Sequence, residues 1–309
     1  MSNTKSKIHW LLTAMLLVAA MLMPMGASAV SLIKPSGDGS SSNPYQISSA
    51  TDLYWFAGLV NGTLPGVPPN KAACAILTTN IIVNSGVLTS QGYLNTSNMS
   101  KFVAWEPIGN DPGYYTGTFD GNGKVISGLY LNSPSKSYAG LFGYSSGTIT
   151  NVGIEDSYFY GYGYVGGICG LNAGTVKKCY NKCPIQSVYN GIGGVCGVNS
   201  LGATITNCYN TGSITADQYH IGGVCGYNYG TLSNCYSTGA LLETKGDAGG
   251  VCGTNSGSIT NCYYDKEKCT IRGINGEDEF KQAEGRTTAQ FASGEIAYIS
   301  EFCSCLYYQ

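Results

Sequence analysis

Cysteine is the reactive side chain that stands out in this chain of 309 residues, which has 13 Cys and only 2 His. Three kinds of chemistry use such thiols: zinc binding, disulfide formation, and packing as a small apolar side chain. Eight of the cysteines form two columns with nearly constant spacing along the chain: Cys169, Cys196, Cys225 and Cys252 in one, and Cys179, Cys208, Cys235 and Cys262 in the other.

The spacing of these cysteines argues against a metal site. The chain lacks the paired C-x₂₋₄-C spacing of zinc ligands, and the one histidine after Ala29 is His220. One repeat earlier, Phe142 and Val152 occupy the matching positions, so we predict that both columns point inward as a structural core ladder. Disulfides between stacked neighbours are the alternative, although the odd count leaves at least one thiol over. The remaining candidates for thiol chemistry are Cys303 and Cys305.

The other reactive side chains predict that the protein is not an enzyme. A single His leaves no room for a Ser-His-Asp or Cys-His set, and no HExxH sequence occurs. Glycosidic cleavage uses two carboxylates at a defined separation. We therefore predict no catalytic residue, metal or cofactor; a polysaccharide-cleaving enzyme, the alternative, would need clustered carboxylates. The aspartates are scattered singly: Asp111, Asp120, Asp156, Asp217 and Asp247.

Tyrosine supplies the candidate binding residues. In each repeat a tyrosine follows the inward Cys of the second column, so strand alternation turns it outward. Tyrosine rings suit stacking on sugars or contact with a protein partner; the alternative is that stacked rings only support each other. The predicted ligand-binding column is Tyr180, Tyr209, Tyr236 and Tyr263. Further tyrosines cluster at Tyr158, Tyr160, Tyr162 and Tyr164, and at Tyr227, Tyr229 and Tyr264.

Asparagine forms a column of its own beside the cysteines. Asn tolerates the left-handed backbone conformation of a tight corner, and its side-chain amide can pass hydrogen bonds along a stack. We predict a structural corner ladder, interrupted by Lys178, at Asn151, Asn207, Asn234 and Asn261.

These columns exist because the chain repeats. The phrase AGLFG at Ala139 returns as GGICG or GGVCG at Gly166, Gly193, Gly222 and Gly249. A second apolar run such as TITNC follows each phrase, and a third, looser run comes shortly after it. No run keeps apolar residues at helical spacing for long enough to form a helix. We therefore predict an all-β, three-sided solenoid with about 27 residues per rung.

The repeat resembles a known family. The run GGVCGYNYGTLSNCYSTGAL, Gly222 to Leu241, is similar to the GLUG repeat of bacterial secreted and surface proteins, including non-catalytic parts of IgA-specific metallopeptidases. The resemblance covers roughly Tyr138 to Asp265. NPYQI at Asn43 and GTFDGNGKVISGLYL at Gly117 are similar to segments that commonly precede such repeats. The resemblance implies a right-handed parallel β-helix, usually extracellular, with no enzymatic role of its own.

The segment 1–29 has the layout of a cleavable signal peptide. Lys5 and Lys7 precede an apolar run from Trp10 to Met23, and small residues lead to Ala29. We predict cleavage after Ala29 and an extracellular, secreted or cell-surface location. No second long apolar stretch, cell-wall sorting motif or lipidated cysteine is evident in the sequence.

The rest of the chain divides into four predicted segments. Ser49 to Asp52 reads as a capping box that opens a short helix, with Leu53, Phe56, Ala57 and Val60 on one face, which would cover the open end of the coil. The segments are an N-terminal cap at 30–71, irregular first rungs at 72–137, five GLUG-like rungs at 138–270, and a C-terminal tail, cap or linker at 271–309.

The low content of charged residues argues against one class of partner. The net charge is −2 and only 11% of residues are charged, which argues against nucleic-acid binding. We predict a non-catalytic binding or adhesion scaffold that contacts extracellular glycans or cell-surface proteins. The alternatives are a polysaccharide lyase or glycoside hydrolase of the β-helix type, and a passive stalk or surface-layer element.

Overall fold

In-register pairing of residues one repeat apart builds the whole molecule. The computed structural model describes residues 32–216, 218–242, 246–275 and 282–296. In it Cys169 pairs with Cys196, which pairs with Cys225, and all strand pairs are parallel. The result is a parallel β-solenoid of about eight turns with about 27 residues per turn, which confirms the predicted fold class.

The strands are short, and most have two to four residues. Those before the regular rungs are β1 Tyr45–Ile47, β2 Ala75–Leu77, β3 Ile81–Ile82, β4 Thr118–Ser127, β5 Tyr130–Asn132, β6 Ser137–Ala139, β7 Phe142–Ser145, β8 Thr148–Glu155 and β9 Tyr158–Gly161. The next two rungs contain β10 Gly163–Gly166, β11 Cys169–Asn172, β12 Thr175–Lys177, β13 Tyr180–Asn181, β14 Ile185–Ser187, β15 Ile192–Gly193, β16 Cys196–Asn199, β17 Thr204–Thr206, β18 Tyr209–Asn210 and β19 Ile214–Ala216.

The last rungs and the helices complete the described chain. The strands are β20 Ile221–Gly222, β21 Cys225–Asn228, β22 Thr231–Ser233, β23 Tyr236–Ser237, β24 Leu241–Leu242, β25 Ala248–Gly249, β26 Cys252–Asn255, β27 Ser258–Thr260, β28 Cys262–Asp265 and β29 Ala283–Arg286. Helix α1 spans Ala50–Asn61, a 3₁₀ helix spans Thr96–Lys101, and α2 spans Thr288–Ala292.

Three successive rungs, β10 to β14, β15 to β19 and β20 to β24, contain five short strands each, more than the three apolar runs of the sequence. Stacking places them in four sheets, one of 14 strands and three of five. The 14-stranded sheet holds two strands of every rung, β12 and β13 for example, which meet at a corner where Lys178 has a φ of 54°. A residue at positive φ turns the chain sharply, so one predicted run becomes two strands.

One rung is longer than its neighbours. The register pairs Asn172 with Asn199 and Thr175 with Thr204, so the later rung has two additional residues between these positions. They form a turn in which Leu201 is 88% exposed. The extra length leaves the pairing on both sides in register.

Helix α1 closes the N-terminal end of the solenoid, as its pattern predicted. The amide of Asp52 donates to Ser49 Oγ over 3.2 Å at the helix start. The Phe56 ring lies 6.1 Å from that of Tyr115 and 5.9 Å from that of Phe119, centroid to centroid. The apolar face of the helix thus joins the continuous core that runs through the solenoid.

The early rungs carry an excursion outside the main core. Between β3 and β4 the chain leaves the stack, and Val87 and Phe102 pack with Tyr158 in a separate small cluster. At the C-terminal end of the solenoid, β29 pairs with β28, and the buried Asp265 carboxylate accepts from Thr288 Oγ1 over 2.7 Å.

Several residues named in the sequence analysis lie outside the described residues: 1–29, Asp217, Glu277 to Glu279, Cys303 and Cys305.

Candidate functional site

The structure places both cysteine columns in the solenoid interior. All eight side chains are essentially inaccessible to solvent, and each thiol donates to a nearby backbone carbonyl, as Cys196 Sγ does to Val198 O over 3.1 Å. Every cysteine in the described segments is a free thiol. Burial raises the pKa of Cys183 to about 12 and raises those of Cys169 and Cys179 as well. Cys169, Cys179 and Cys183 are therefore protonated, unreactive core side chains.

The predicted asparagine column lies at a left-handed corner. Asn151, Asn207, Asn234 and Asn261 have φ between 51° and 55°, and Lys178 shares the conformation. Their side chains form separate hydrogen bonds: Asn151 Nδ2 donates to Asp120 Oδ1 over 3.0 Å, and Asn261 Nδ2 donates to Asn234 Oδ1 over 3.4 Å.

The continuous amide ladder lies at a different position, which the sequence argument missed. Nδ2 of one buried asparagine donates to Oδ1 of the next over 2.8–2.9 Å, and this bond repeats through Asn172, Asn199, Asn228 and Asn255. A second pair joins Asn181 to Asn210 over 2.9 Å. The available signal was an Asn at a constant position shortly after each Cys of the first column.

The predicted tyrosine column is a stack of rings. Tyr180, Tyr209 and Tyr236 have successive centroid distances of 4.9 Å and interplanar angles of 9° and 1°. The faces of these half-buried rings therefore cover each other, and only edges reach solvent.

One member of that column does not face solvent at all. Tyr263 is 4% exposed, and the Arg286 guanidinium lies 5.5 Å from its ring centroid. The expectation that it contributes to an outward binding stripe is wrong, because β29 pairs with its strand and carries Arg286 over the ring.

A larger set of aromatic side chains covers another side of the solenoid, which we call the aromatic face. Ring centroids 4.8 Å apart join Tyr114 to Tyr144, and 5.3 Å separates Tyr138 from Tyr164. The face ends at His220, whose ring lies 4.2 Å from that of Tyr227. Its members are Tyr114, Tyr138, Tyr144, Tyr162, Tyr164, Tyr189, Tyr219, His220, Tyr227 and Tyr229.

Five of these rings are open to solvent. Tyr162 and Tyr189 stack with centroids 5.3 Å apart at an angle of 15°. Each exposed member keeps 40–50% of its surface accessible: Tyr114, Tyr162, Tyr189, Tyr219 and Tyr229. Of the residues on the aromatic face, Tyr162, Tyr164, Tyr227 and Tyr229 are visible as clusters in the sequence. The others are not, because the register that joins them crosses rungs.

Backbone conformation sets this face apart. One column of it holds Tyr138, Tyr164, Gly191 and His220, with φ of 59°, 53°, 76° and 64°. Non-glycine residues rarely adopt positive φ, and for bulky side chains the strain is about 1–3 kcal/mol each. Three aromatic residues are thus held at a position that Gly191 occupies without strain. Such strain clusters at ligand-binding sites.

The two ends of the aromatic face differ in chemistry. At the C-terminal end, His220 Nδ1 lies 2.6 Å from Thr254 Oγ1 and 3.4 Å from Asp247 Oδ2. Burial lowers the pKa of His220, and the Asp247 carboxylate partly opposes this shift, so the imidazole is neutral at pH 7. At the N-terminal end, Tyr114 helps to line an open cavity of about 410 Å³ with Pro69, Asn70, Lys71, Ala72, Pro112 and Thr116.

Two further observations concern metal binding and membrane-spanning helices. Within the described segments, no group of three or more His, Cys, Asp or Glu side chains is arranged to hold a metal ion. None of the helices in those segments combines the length and apolar composition of a membrane span.

The rungs that carry His220 and Tyr227 also carry a family signature. The family described as "The GLUG motif" matches residues 189–215 and 217–241. The chain contains GLUG repeats at these residues. The two matched GLUG repeats contribute Tyr189, Tyr219, His220, Tyr227 and Tyr229 to the aromatic face.

Two curated proteins resemble parts of the GLUG-repeat chain. A "Putative Gly-rich membrane protein" of Evansella cellulosilytica is 34% identical over 77 residues, 23% of this chain. Halomucin of Haloquadratum walsbyi is 29% identical over 144 residues, 46% of this chain. The matched regions span only 9% and 1% of those proteins, respectively.

A solved structure shares the fold. A crystal structure described as a "putative immunoglobulin A1 protease" from Bacteroides ovatus superposes with a TM-score of 0.54 at 20% identity, and covers 85% of this chain and 89% of that one. A chain described as an IgA1 protease gives a TM-score of 0.44 at 17% identity, over 78% of this chain and 21% of that one. At this identity the first likeness establishes the architecture of the GLUG-repeat solenoid alone.

Proposed function

We propose that this GLUG-repeat solenoid is an exported, non-catalytic binding scaffold whose aromatic face contacts glycans or proteins on a cell surface. The observation that carries the proposal is the column of Tyr138, Tyr164 and His220 at positive φ. A passive stalk has no use for aromatic rings at strained corners, whereas a binding surface gains rigid contact area from them.

The chemistry of the reactive groups supports a non-catalytic role. Eight of the cysteines are buried thiols with hydrogen bonds to backbone. At His220, Nδ1 is shared between Thr254 and Asp247, whereas a catalytic triad places the orienting acid and the nucleophile on opposite ring nitrogens. Binding explains the aromatic face without a reacting group.

Export is the second part of the proposal and rests on the segment that precedes Val30. Lys5, Lys7, the following apolar run and the small residues at its end form the three regions of a signal peptide. The test is N-terminal sequencing of the protein recovered from the medium and cell envelope of an expressing bacterium. We expect Val30 as the first residue; recovery of the intact chain from the cytoplasm alone would contradict export.

The binding role is tested with exposed tyrosines of the aromatic face. The test variant changes Tyr162, Tyr189 and Tyr229 together to Ser. The control changes Tyr93 to Ser, because this residue is 74% exposed in the excursion before the regular rungs. Both are produced from the full-length gene, and circular dichroism verifies folding.

Binding is measured by flow cytometry on bacterial and epithelial cells. Cells are tested untreated, after periodate oxidation of surface glycans, and after protease treatment. We expect the wild type and the Tyr93→Ser control to bind and the triple variant to lose at least about tenfold in affinity. Equal binding by all three proteins, or no binding to any cell type, would contradict a role for the aromatic face.

A further inference from the structure

The aromatic face has no charge along its length. Four chain segments form its main part: residues 137–147, 160–174, 187–202 and 218–230. None contains Asp, Glu, Lys or Arg. Charged groups lie near the ends of the face: Lys71 at the cavity, Asp111 close enough to affect Tyr138, and Asp247 beside His220. A ligand that covers the middle of the face therefore meets only phenol groups, amides and apolar ring edges.

The same region has no free strand edge. β10, β15 and β20 lie inside one five-stranded sheet, and β11, β16 and β21 lie inside another, each with a partner on both sides. An extended peptide is usually held by main-chain hydrogen bonds to an exposed edge. Along the middle of the aromatic face such bonds are already made within the solenoid, which disfavours a peptide as the ligand.

The phenol groups match the hydroxyl groups of a sugar. A phenol both donates and accepts hydrogen bonds, as a sugar hydroxyl does. Burial raises the pKa of Tyr138, and it raises the pKa of Tyr227 to about 12, so these phenols keep their protons at physiological pH. Exposed ring edges and the outer rings supply apolar contact for the C–H groups of a sugar.

The face is long and regular in the direction of the solenoid axis. Tyr115 pairs with Ser145, which follows Tyr144 in the next rung. Over the rungs after that, Tyr144 pairs with Leu171, Leu171 with Val198, and Val198 with Tyr227. The face thus spans five rungs, or four steps of about 4.8 Å, roughly 19 Å in all. One rung step is close to the length that a pyranose unit adds to an extended chain.

We propose that the aromatic face binds a single uncharged, linear polysaccharide chain that lies along the solenoid axis. This inference rests on the proposed binding function and narrows its partner to one ligand class. The phenol hydroxyls bind sugar hydroxyls, and each rung contributes to the contact with successive sugars. The open cavity at Tyr114 receives one end of the bound stretch.

Gly191 lies in the middle of the proposed polysaccharide site, and its substitution tests that site. A Cβ added there would lie 2.8 Å from Tyr164 Cδ1 and 3.1 Å from Tyr227 Cδ2. Gly191→Asn therefore pushes apart two rings of the face, and Asn tolerates its φ of 76°. Gly202→Asn is the matched control, since Gly202 has a φ of 79° and open space around its Cβ position.

The experiment measures affinity by titration calorimetry on the protein made from the full-length gene. The probes are cello-, xylo-, manno- and laminari-oligosaccharides, from disaccharide to heptasaccharide, with oligogalacturonate as the charged counterpart. We expect at least one neutral series to bind with an affinity that rises with chain length and levels off near the pentasaccharide. Gly191→Asn should weaken that binding by at least about tenfold, and Gly202→Asn by less than about twofold.

The outcomes separate this inference from the broader proposal. Three results would overturn the proposed polysaccharide site. They are binding of oligogalacturonate alone, an affinity that does not depend on oligosaccharide length, and unchanged binding by a folded Gly191→Asn variant. Failure of every neutral series would overturn it too. Cell binding that is abolished by protease, resists periodate and depends on Tyr162, Tyr189 and Tyr229 would retain the binding function with a protein partner.

Discussion

Two corners of the rungs hold residues at positive φ, one corner in five rungs and the other in four, and different side chains fill them. One corner uses asparagine in four of five rungs and Lys178 in the other. The second corner uses Tyr138, Tyr164, Gly191 and His220. Asparagine tolerates the left-handed region, whereas lysine and aromatic residues are strained there. Lys178 is exposed, so its strain has no evident compensation.

Replacement of that lysine is expected to stabilise the fold. Lys178→Asn relieves the strain at a φ of 54° and should raise the free energy of unfolding by about 1 kcal/mol. For a chain of this size this corresponds to a thermal midpoint higher by about 2 °C. Calorimetry provides the measurement, and Lys178→Gln is the control that removes the charge without suiting the corner. An equal gain in both variants would attribute the effect to charge.

His220 makes stability depend on pH. Its pKa in the folded protein is lowered by burial, so the unfolded chain binds a proton more readily. Stability contributed by neutral His220 is present above the unfolded pKa of about 6.5 and is lost as pH falls through that value towards the lowered one. Asp247, Thr254, Tyr219 and Tyr227 surround the ring, and the Asp247 carboxylate reduces the effect.

The measurement is the urea midpoint between about pH 7 and about pH 5. We expect the midpoint to fall more in the wild type than in His220→Asn, which suits the corner and does not titrate. Carboxylates elsewhere contribute equally to both proteins and cancel. A parallel fall in the two proteins would show that His220 has the same pKa folded and unfolded.

A further prediction at the scale of residues concerns the reactivity of the buried thiols. In a Cys303→Ser/Cys305→Ser variant, 11 cysteines remain, ten of them buried and Cys74 partly exposed. We expect a thiol reagent to modify at most Cys74 in the native protein and all 11 after unfolding. Rapid modification of several thiols in the native state would contradict an inward ladder.

At the scale of elements, buried asparagines connect the rungs. Asn199 donates to Asn228 and accepts from Asn172, both within 2.9 Å. Asn199→Ala removes both bonds and leaves a buried amide oxygen without its donor, so we expect a loss of about 2–3 kcal/mol. Asn207→Gly at the outer corner keeps a suitable backbone and should cost less than about 1 kcal/mol. Urea unfolding measures both, and equal losses would contradict the ladder.

The repeat made these elements predictable to different degrees. The period, the inward cysteines and the capping helix follow from residue types at fixed distances along the chain. The division of an apolar run into two strands at Lys178 does not follow from residue types, because it depends on backbone conformation. The burial of Tyr263 does not follow from them either, because it depends on Arg286 in a later segment of the chain. The aromatic face was only partly visible, since Tyr138, Gly191 and His220 share a column but no residue type.

At the scale of the molecule, each rung interacts mainly with its two neighbours. Stability is then close to a sum of rung and interface contributions. Deletion of residues 222–248 joins Ile221 to Gly249 in the register that the stack already uses. We expect this variant to remain folded with a modestly lower thermal midpoint, because one rung and one interface are lost.

The control deletion is longer by one residue. Deletion of residues 222–249 shifts every following strand by one residue relative to its partner, so buried side chains turn to the opposite face. Far-UV circular dichroism and thermal melting compare the two variants. Cooperative unfolding at equal temperature in both would contradict the dependence of the stack on register.

The turn around Leu201 has a practical consequence. The circuit there is longer by two residues than in the preceding rung, while pairing from Asn199 back to Asn172 and from Thr204 back to Thr175 is unaffected. The side chain at its tip projects almost fully into water. This site is therefore a natural insertion point, where a foreign epitope or a fluorescent label can be grafted onto the scaffold at a known height along its axis.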